Sequence, residues 1–135
     1  MNESLIDTSL VFVLLRNEVA ASHNATNYLA QYSTFNLSHV SEYEILRGFK
    51  INPSSRRRKL FDLIEPRITY IPIDRPVILR AAEIYADLYQ RGQLIGDADI
   101  LIAATALEHN LSVVTRNEKH FSRIPGLTVV NWSNI

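Results

Sequence analysis

Three acidic side chains stand where an apolar stretch gives way to a helical one. They are Asp7 in Leu5-Ile6-Asp7-Thr8-Ser9, Glu44 in Ser41-Glu42-Tyr43-Glu44, and Asp99 in Gly96-Asp97-Ala98-Asp99-Ile100. Open parallel sheets bind ligands beyond the C-terminal ends of their strands. Carboxylates brought there from distant segments repel one another unless a cation or protons offset the charge. Oxygen-only ligands suit Mg²⁺ or Mn²⁺. A hard cation in such a place polarises a phosphoryl oxygen and makes water a better nucleophile. These residues therefore point to a metal-dependent enzyme acting on phosphate.

Each acid also has a simpler explanation. Asp7 fits a turn or a helix cap, although Thr8 or Ser9 can supply the cap instead. Ser41-x-x-Glu44 has the spacing of a capping box, whereas a cap at Ser38 leaves Glu44 in the second turn with nothing to satisfy. Asp97 and Asp99 both lie where a helix begins, and residues two apart do not share a helix face. Asp99 is the better site candidate, with Asp97 as a cap or outer support. The segment Thr115-Arg116-Asn117-Glu118-Lys119-His120-Phe121 sets further polar groups after another strand.

The elements that must position these groups alternate between strand and helix. Ser4 to Ile6 reads as a strand, and Thr8 to Arg16 and Ala21 to Tyr32 as helices. Thr34 to Leu37 is a second strand. The helix after it starts at Ser38 or Ser41, and Gly48 is placed to end it. Ser54 to Glu65 is a helix with Leu60, Phe61, Leu63 and Ile64 as its apolar side. Ile68 to Ile73 is a strand. Asp74 caps the next helix, with Pro76 in its first turn. That helix carries a stripe of Ile78, Ala81, Ala82, Tyr85, Leu88 and Tyr89 and closes at Gly92. The run to Glu108 is apolar all round and predicts a buried helix. Leu111 to Thr115 and Leu127 to Asn131 are the last strands. The alternation predicts an α/β fold, a three-layer α/β/α sandwich with a mainly parallel sheet and right-handed crossovers. A chain of 135 residues with no visible linker predicts one domain, 1–135.

Composition removes several classes. There is no cysteine, hence no disulfide framework and no thiolate metal site. That agrees with a cytoplasmic location. No apolar run reaches the roughly 18 residues of a membrane span. Fourteen basic and fourteen acidic residues give a formal net charge of zero, so nucleic acid is not bound through a general basic footprint. No phosphate-binding glycine loop is present.

Four segments in order resemble the PIN-domain ribonucleases, in particular VapC-like toxins of type II toxin–antitoxin pairs. They are Leu5-Ile6-Asp7-Thr8-Ser9, then Ser38-x-x-Ser41-x-x-Glu44-Ile45-Leu46-Arg47-Gly48, then Gly96-Asp97-Ala98-Asp99 through Ala106. Last come Thr115-Arg116-Asn117-x-x-His120-Phe121, Gly126-Leu127 and Asn131-Trp132. The resemblance implies Asp7, Glu44 and Asp99 as an acidic metal site. It also implies Mg²⁺- or Mn²⁺-dependent cleavage of RNA, a homodimer and a cognate antitoxin. Many relatives carry a further Asp in the last motif. Here Asn117 and His120 stand in its place, so Asn117 would orient a water without adding charge. Thr8, Ser41 and Arg116 are further candidates for holding water or phosphate.

The run Arg56 to Lys59 reads first as a solvated helix face, and His39 and His120 as hydrogen-bonding groups. Tyr85 and Tyr89 read as core or dimer packing. Two other functions compete. One is a catalytically inactive PIN-like module that binds RNA or protein. The other is a phosphoacceptor receiver domain, which wants paired acids after the first strand where this chain has only Asp7.

Overall fold

A computed structural model describes residues 1–134. Its centre is a five-stranded, wholly parallel sheet in the order β3-β2-β1-β4-β5. The strands are β1 (Ser4–Ile6), β2 (Phe35–Ser38), β3 (Ile68–Ile71), β4 (Ser112–Val114) and β5 (Val129–Val130). Their pleat divides the core. Ile6 and Val114 join an apolar cluster on one face of the sheet, and their neighbours Leu5 and Val113 join another on the opposite face. Alternation of side chains along a strand requires this.

The first face is covered by α1 (Thr8–Leu15), α2 (Val19–Tyr32), α3 (His39–Ile51) and α4 (Ser55–Ile64). The second is covered by α5 (Arg75–Gln90), α6 (Asp97–Glu108) and α7 (Glu118–Phe121). The result is the expected α/β/α sandwich. Helix α6 buries Ile100 and Ile102 to Ala106, as its all-round apolar sequence requires. Trp132 closes the first cluster from the chain's end, packing on Tyr28 at 5.4 Å and Phe35 at 6.1 Å between ring centres. The Tyr28 hydroxyl in turn accepts the Ser4 backbone N–H at 3.0 Å. Trp132 thus braces the first strand through Tyr28.

Several local expectations change. Gly48 does not end α3. It lies inside the helix, where an added Cβ would stand 3.3 Å from Phe12 Cζ, so its role is to let α1 and α3 approach closely. The left-handed glycine that does close a helix is Gly92, at φ 66° after α5. Helix α5 buries Val77, Ala81, Ile84 and Leu88, so of the stripe read from sequence Ala81 and Leu88 are core, and Val77 and Ile84 replace the rest. Ile78, Ala82, Tyr85 and Tyr89 are therefore exposed rather than core. Leu63 of α4 is 74% exposed, leaving Phe61 as that helix's buried anchor. Asp74 caps α5 as expected, accepting from Val77 N at 3.2 Å.

Candidate functional site

Strand order reverses at β1, with β2 on one side and β4 on the other. A crevice at such a point, beyond the strand C-termini, is where open α/β sheets hold ligands. Asp7 is the first residue past β1, tied into the sheet by its N–H to the Val114 carbonyl at 2.9 Å. It is 2% exposed and occupies the N-cap position of α1, yet its side chain makes no capping hydrogen bond. Neither Thr8 nor Ser9 is the cap. The carboxylate is thus buried for some purpose other than starting a helix.

Two hydroxyls hold one of its oxygens. Ser9 Oγ donates to Asp7 Oδ2 at 2.7 Å and Thr115 Oγ1 at 2.8 Å. These hydroxyls accept in turn from backbone N–H groups of the β4–α7 turn, Arg116 to Ser9 at 3.1 Å and Asn117 to Thr115 at 2.8 Å. Main-chain donors therefore turn both hydroxyl protons toward Asp7. Sequence reasoning missed Ser9 and Thr115 as site residues. The available signal was a hydroxyl directly after β4, at Thr115, and another two residues beyond Asp7, at Ser9.

Glu44 is not part of a capping box. Ser38 caps α3, accepting from Val40 N at 3.0 Å, so Glu44 stands in the second turn. Its Oε1 lies 2.7 Å from Thr8 Oγ1, and Thr8 Oγ1 lies 2.9 Å from the fully buried Ser41 Oγ. Thr8 Oγ1 donates toward both oxygens, and the acceptor-only carboxylate of Glu44 takes the shorter bond. Ser41 and Thr8 thus orient Glu44 across the gap between α3 and α1.

Asp99 sits in the first turn of α6, where the helix dipole favours a carboxylate. Gly96 is the N-cap, so Asp97 is the first helical residue and not the cap. Asp97 is exposed and makes no capping bond. His120 Nδ1 approaches Asp99 Oδ2 at 3.4 Å. Asn117 is exposed at the start of α7, and its side chain makes no capping bond there. Of the two replacements for a fourth acid, His120 is hydrogen-bonded to Asp99, and the exposed Asn117 side chain is left free of any capping bond. The Arg116 side chain is exposed, and Arg116 serves the site through its backbone N–H.

The carboxylates sense one another. Burial pushes the Asp7 carboxyl above its usual range, the Ser9 and Thr115 hydroxyls oppose this, and Asp99 adds to it. Burial raises Asp99 as well, against His120, and Glu44 reinforces the rise. Like charges in a half-buried space call for a cation. Among the described residues, no three Asp, Glu or His side chains converge tightly enough to ligate one ion directly. Mg²⁺ keeps several of its waters and takes few protein carboxylates, so the oxygen-rich donor set of Asp7, Asp99 and Glu44 fits an ion held partly through water.

The PIN domain family profile matches residues 4–127. Ribonuclease VapC1 of Rickettsia felis is 34% identical over 134 residues, covering 96% of each chain. The tRNA(fMet)-specific endonuclease VapC of Shigella flexneri is 25% identical over 98% of this chain and 100% of its own. Among solved structures, VapBC2 from Rickettsia felis bound to a promoter DNA fragment superposes with a TM-score of 0.85 at 26% identity. That match covers 96% of this chain and 98% of the other. The acid-bearing β1 end, the α3 and α6 acids and the sheet that gathers them all fall inside the matched span, and the chain belongs to the PIN-domain family.

Proposed function

We propose that this chain is a metal-dependent endoribonuclease, and the toxin of a type II toxin–antitoxin pair. The observation that carries the reading is Asp7: a buried carboxylate at the sheet's reversal point, released from capping and held by two hydroxyls. Near full-length relatives named as ribonucleases, and likeness to VapBC toxin–antitoxin complexes, support the substrate class and the antitoxin partner. The assignment of Asp7, Glu44 and Asp99 to metal and catalysis rests on their mutual electrostatics and shared location.

A bound Mg²⁺ or Mn²⁺ supplies charge compensation and lowers the pKa of a water. The chain's own groups do the rest. Ser9 and Thr115 fix one Asp7 oxygen. Thr8, braced by Ser41, fixes Glu44. Asp99, beside His120, completes the negative lining. Water adds to phosphorus in line with the departing 3′ oxygen. The new O–P bond leaves a 5′ phosphate, and the 3′ oxygen takes a proton to become a hydroxyl.

A homodimer is part of the same reading. The exposed Tyr85, Tyr89 and Ile78 on α5 offer it an apolar face. Among the described residues no helix is long and apolar enough to cross a membrane. Inducible expression of wild type and Asp7→Asn, with sequencing of cleaved RNA ends, tests the reading. Growth arrest and cleavage only with wild type support it. Equal harmlessness, with no Mn²⁺ binding by the pure protein, favours an inactive binding module instead.

A further inference from the structure

A neutral chain that handles RNA needs a local cation where the phosphates pass. The run Arg56 to Lys59 on α4 is exposed, and Arg58 is occupied with Asp62 at 3.2 Å and with the Phe49 ring. Arg116 contributes its N–H to Ser9. Arg47 is placed differently. It follows Glu44 by three residues on α3, so both project from one side of the helix. Its guanidinium lies 3.5 Å from Glu44 Oε2, the oxygen that Thr8 leaves free, and 5.1 Å from the centre of the Tyr43 ring. The side chain is 52% exposed, and the Tyr43 residue is 62% exposed. With Arg47 half exposed and Glu44 21% exposed, a single contact of that length contributes little stability, so it yields readily to a better anion. A planar guanidinium held against a ring is well suited to grip a phosphate with two N–H groups.

We propose that Arg47, steadied by the Tyr43 ring, grips a phosphate of the RNA strand at the edge of the acid cluster, exchanging Glu44 for that phosphate when RNA arrives. The inference rests on the endoribonuclease reading. Arg47 binds substrate, and Tyr43 is a positioning residue.

Binding of a fluorescein-labelled single-stranded RNA to the purified protein in EDTA, followed by anisotropy at several salt concentrations, tests it apart from catalysis. Arg47→Ala should weaken binding about tenfold. It should also lower the slope of log K against log salt by about 0.7, the value for one lost phosphate contact on a single strand. Tyr43→Ala should weaken binding by a smaller factor and Tyr43→Phe, which keeps the ring, should not. In cleavage assays with Mn²⁺, Arg47→Ala should raise KM with kcat little changed. Unchanged affinity and salt slope in Arg47→Ala, or no RNA binding by wild type, overturns the proposal. A wild type that binds RNA through Arg47 without ever cleaving it overturns the ribonuclease reading and leaves the phosphate contact standing.

Discussion

At the scale of the residue, burial and charge make opposite demands on Asp7. Its pKa is raised by burial first and by Asp99 among the lesser causes. A carboxyl whose folded-state pKa is raised contributes stability that is present below about pH 4. That stability is lost as pH rises through the folded-state value. At neutral pH the ionised acid is therefore a cost to the metal-free fold. Asn retains an oxygen for Ser9 and Thr115 and removes the charge. Asp7→Asn should raise the melting temperature in EDTA by a few degrees while abolishing cleavage. Mg²⁺ should raise that temperature for wild type more than for the variant. The hydroxyls have their own test. Thr115→Val removes a hydrogen bond to the charged form of Asp7, which pushes its pKa further up. The acid limb of the pH–rate profile should then move to higher pH, and activity at neutral pH should fall by about tenfold, as for other supporting hydrogen bonds around metal sites.

At the scale of the element, the helix starts decide which acids are free to act. Ser38 caps α3 and so releases Glu44 from the capping-box role that Ser41-x-x-Glu44 suggests. Ser38→Ala should cost about 1 kcal/mol of stability, read as a shifted urea midpoint with an unchanged slope. Phe61 is fully buried and meets Phe49 at 5.8 Å between ring centres. Phe61→Ala should cost about 3–5 kcal/mol and loosen α4 from α3. The alternation of elements and the C-terminal edge of the sheet were legible in sequence, because apolar runs and helix-cap residues report local geometry. What was not legible is informative. Gly48 looks like a helix terminator, but Phe12, thirty-six residues earlier, requires the missing side chain. The α5 stripe was read half a face off because Tyr85 and Tyr89 are apolar enough to read as core, while Val77 and Ile84 join Ala81 and Leu88 in the buried cluster shared with α6. The Ser9 and Thr115 bonds to Asp7 depend on β1 and β4 lying side by side, a pairing that spacing along the chain cannot reveal.

At the scale of the whole molecule, sheet order is what makes three separated acids into neighbours. Placing β1 at the centre, with β4 beside it, brings residues 7 and 115 into hydrogen-bond contact. Helices α3 and α6 then bring their acids from opposite faces of the sheet. The fold gathers negative charge in a half-buried crevice that Arg47 meets only at its edge, through Glu44, so a bound cation should control its activity. The most direct measurement is cleavage of a defined RNA by the purified, antitoxin-free protein, with Mn²⁺ or Mg²⁺ and with EDTA, alongside Asp7→Asn. Wild type with metal should cut and leave 5′ phosphate ends, whereas EDTA and Asp7→Asn should each reduce the rate by at least about a hundredfold. Undiminished cleavage in EDTA, or by a folded Asp7→Asn, would contradict a metal-dependent role for these acids.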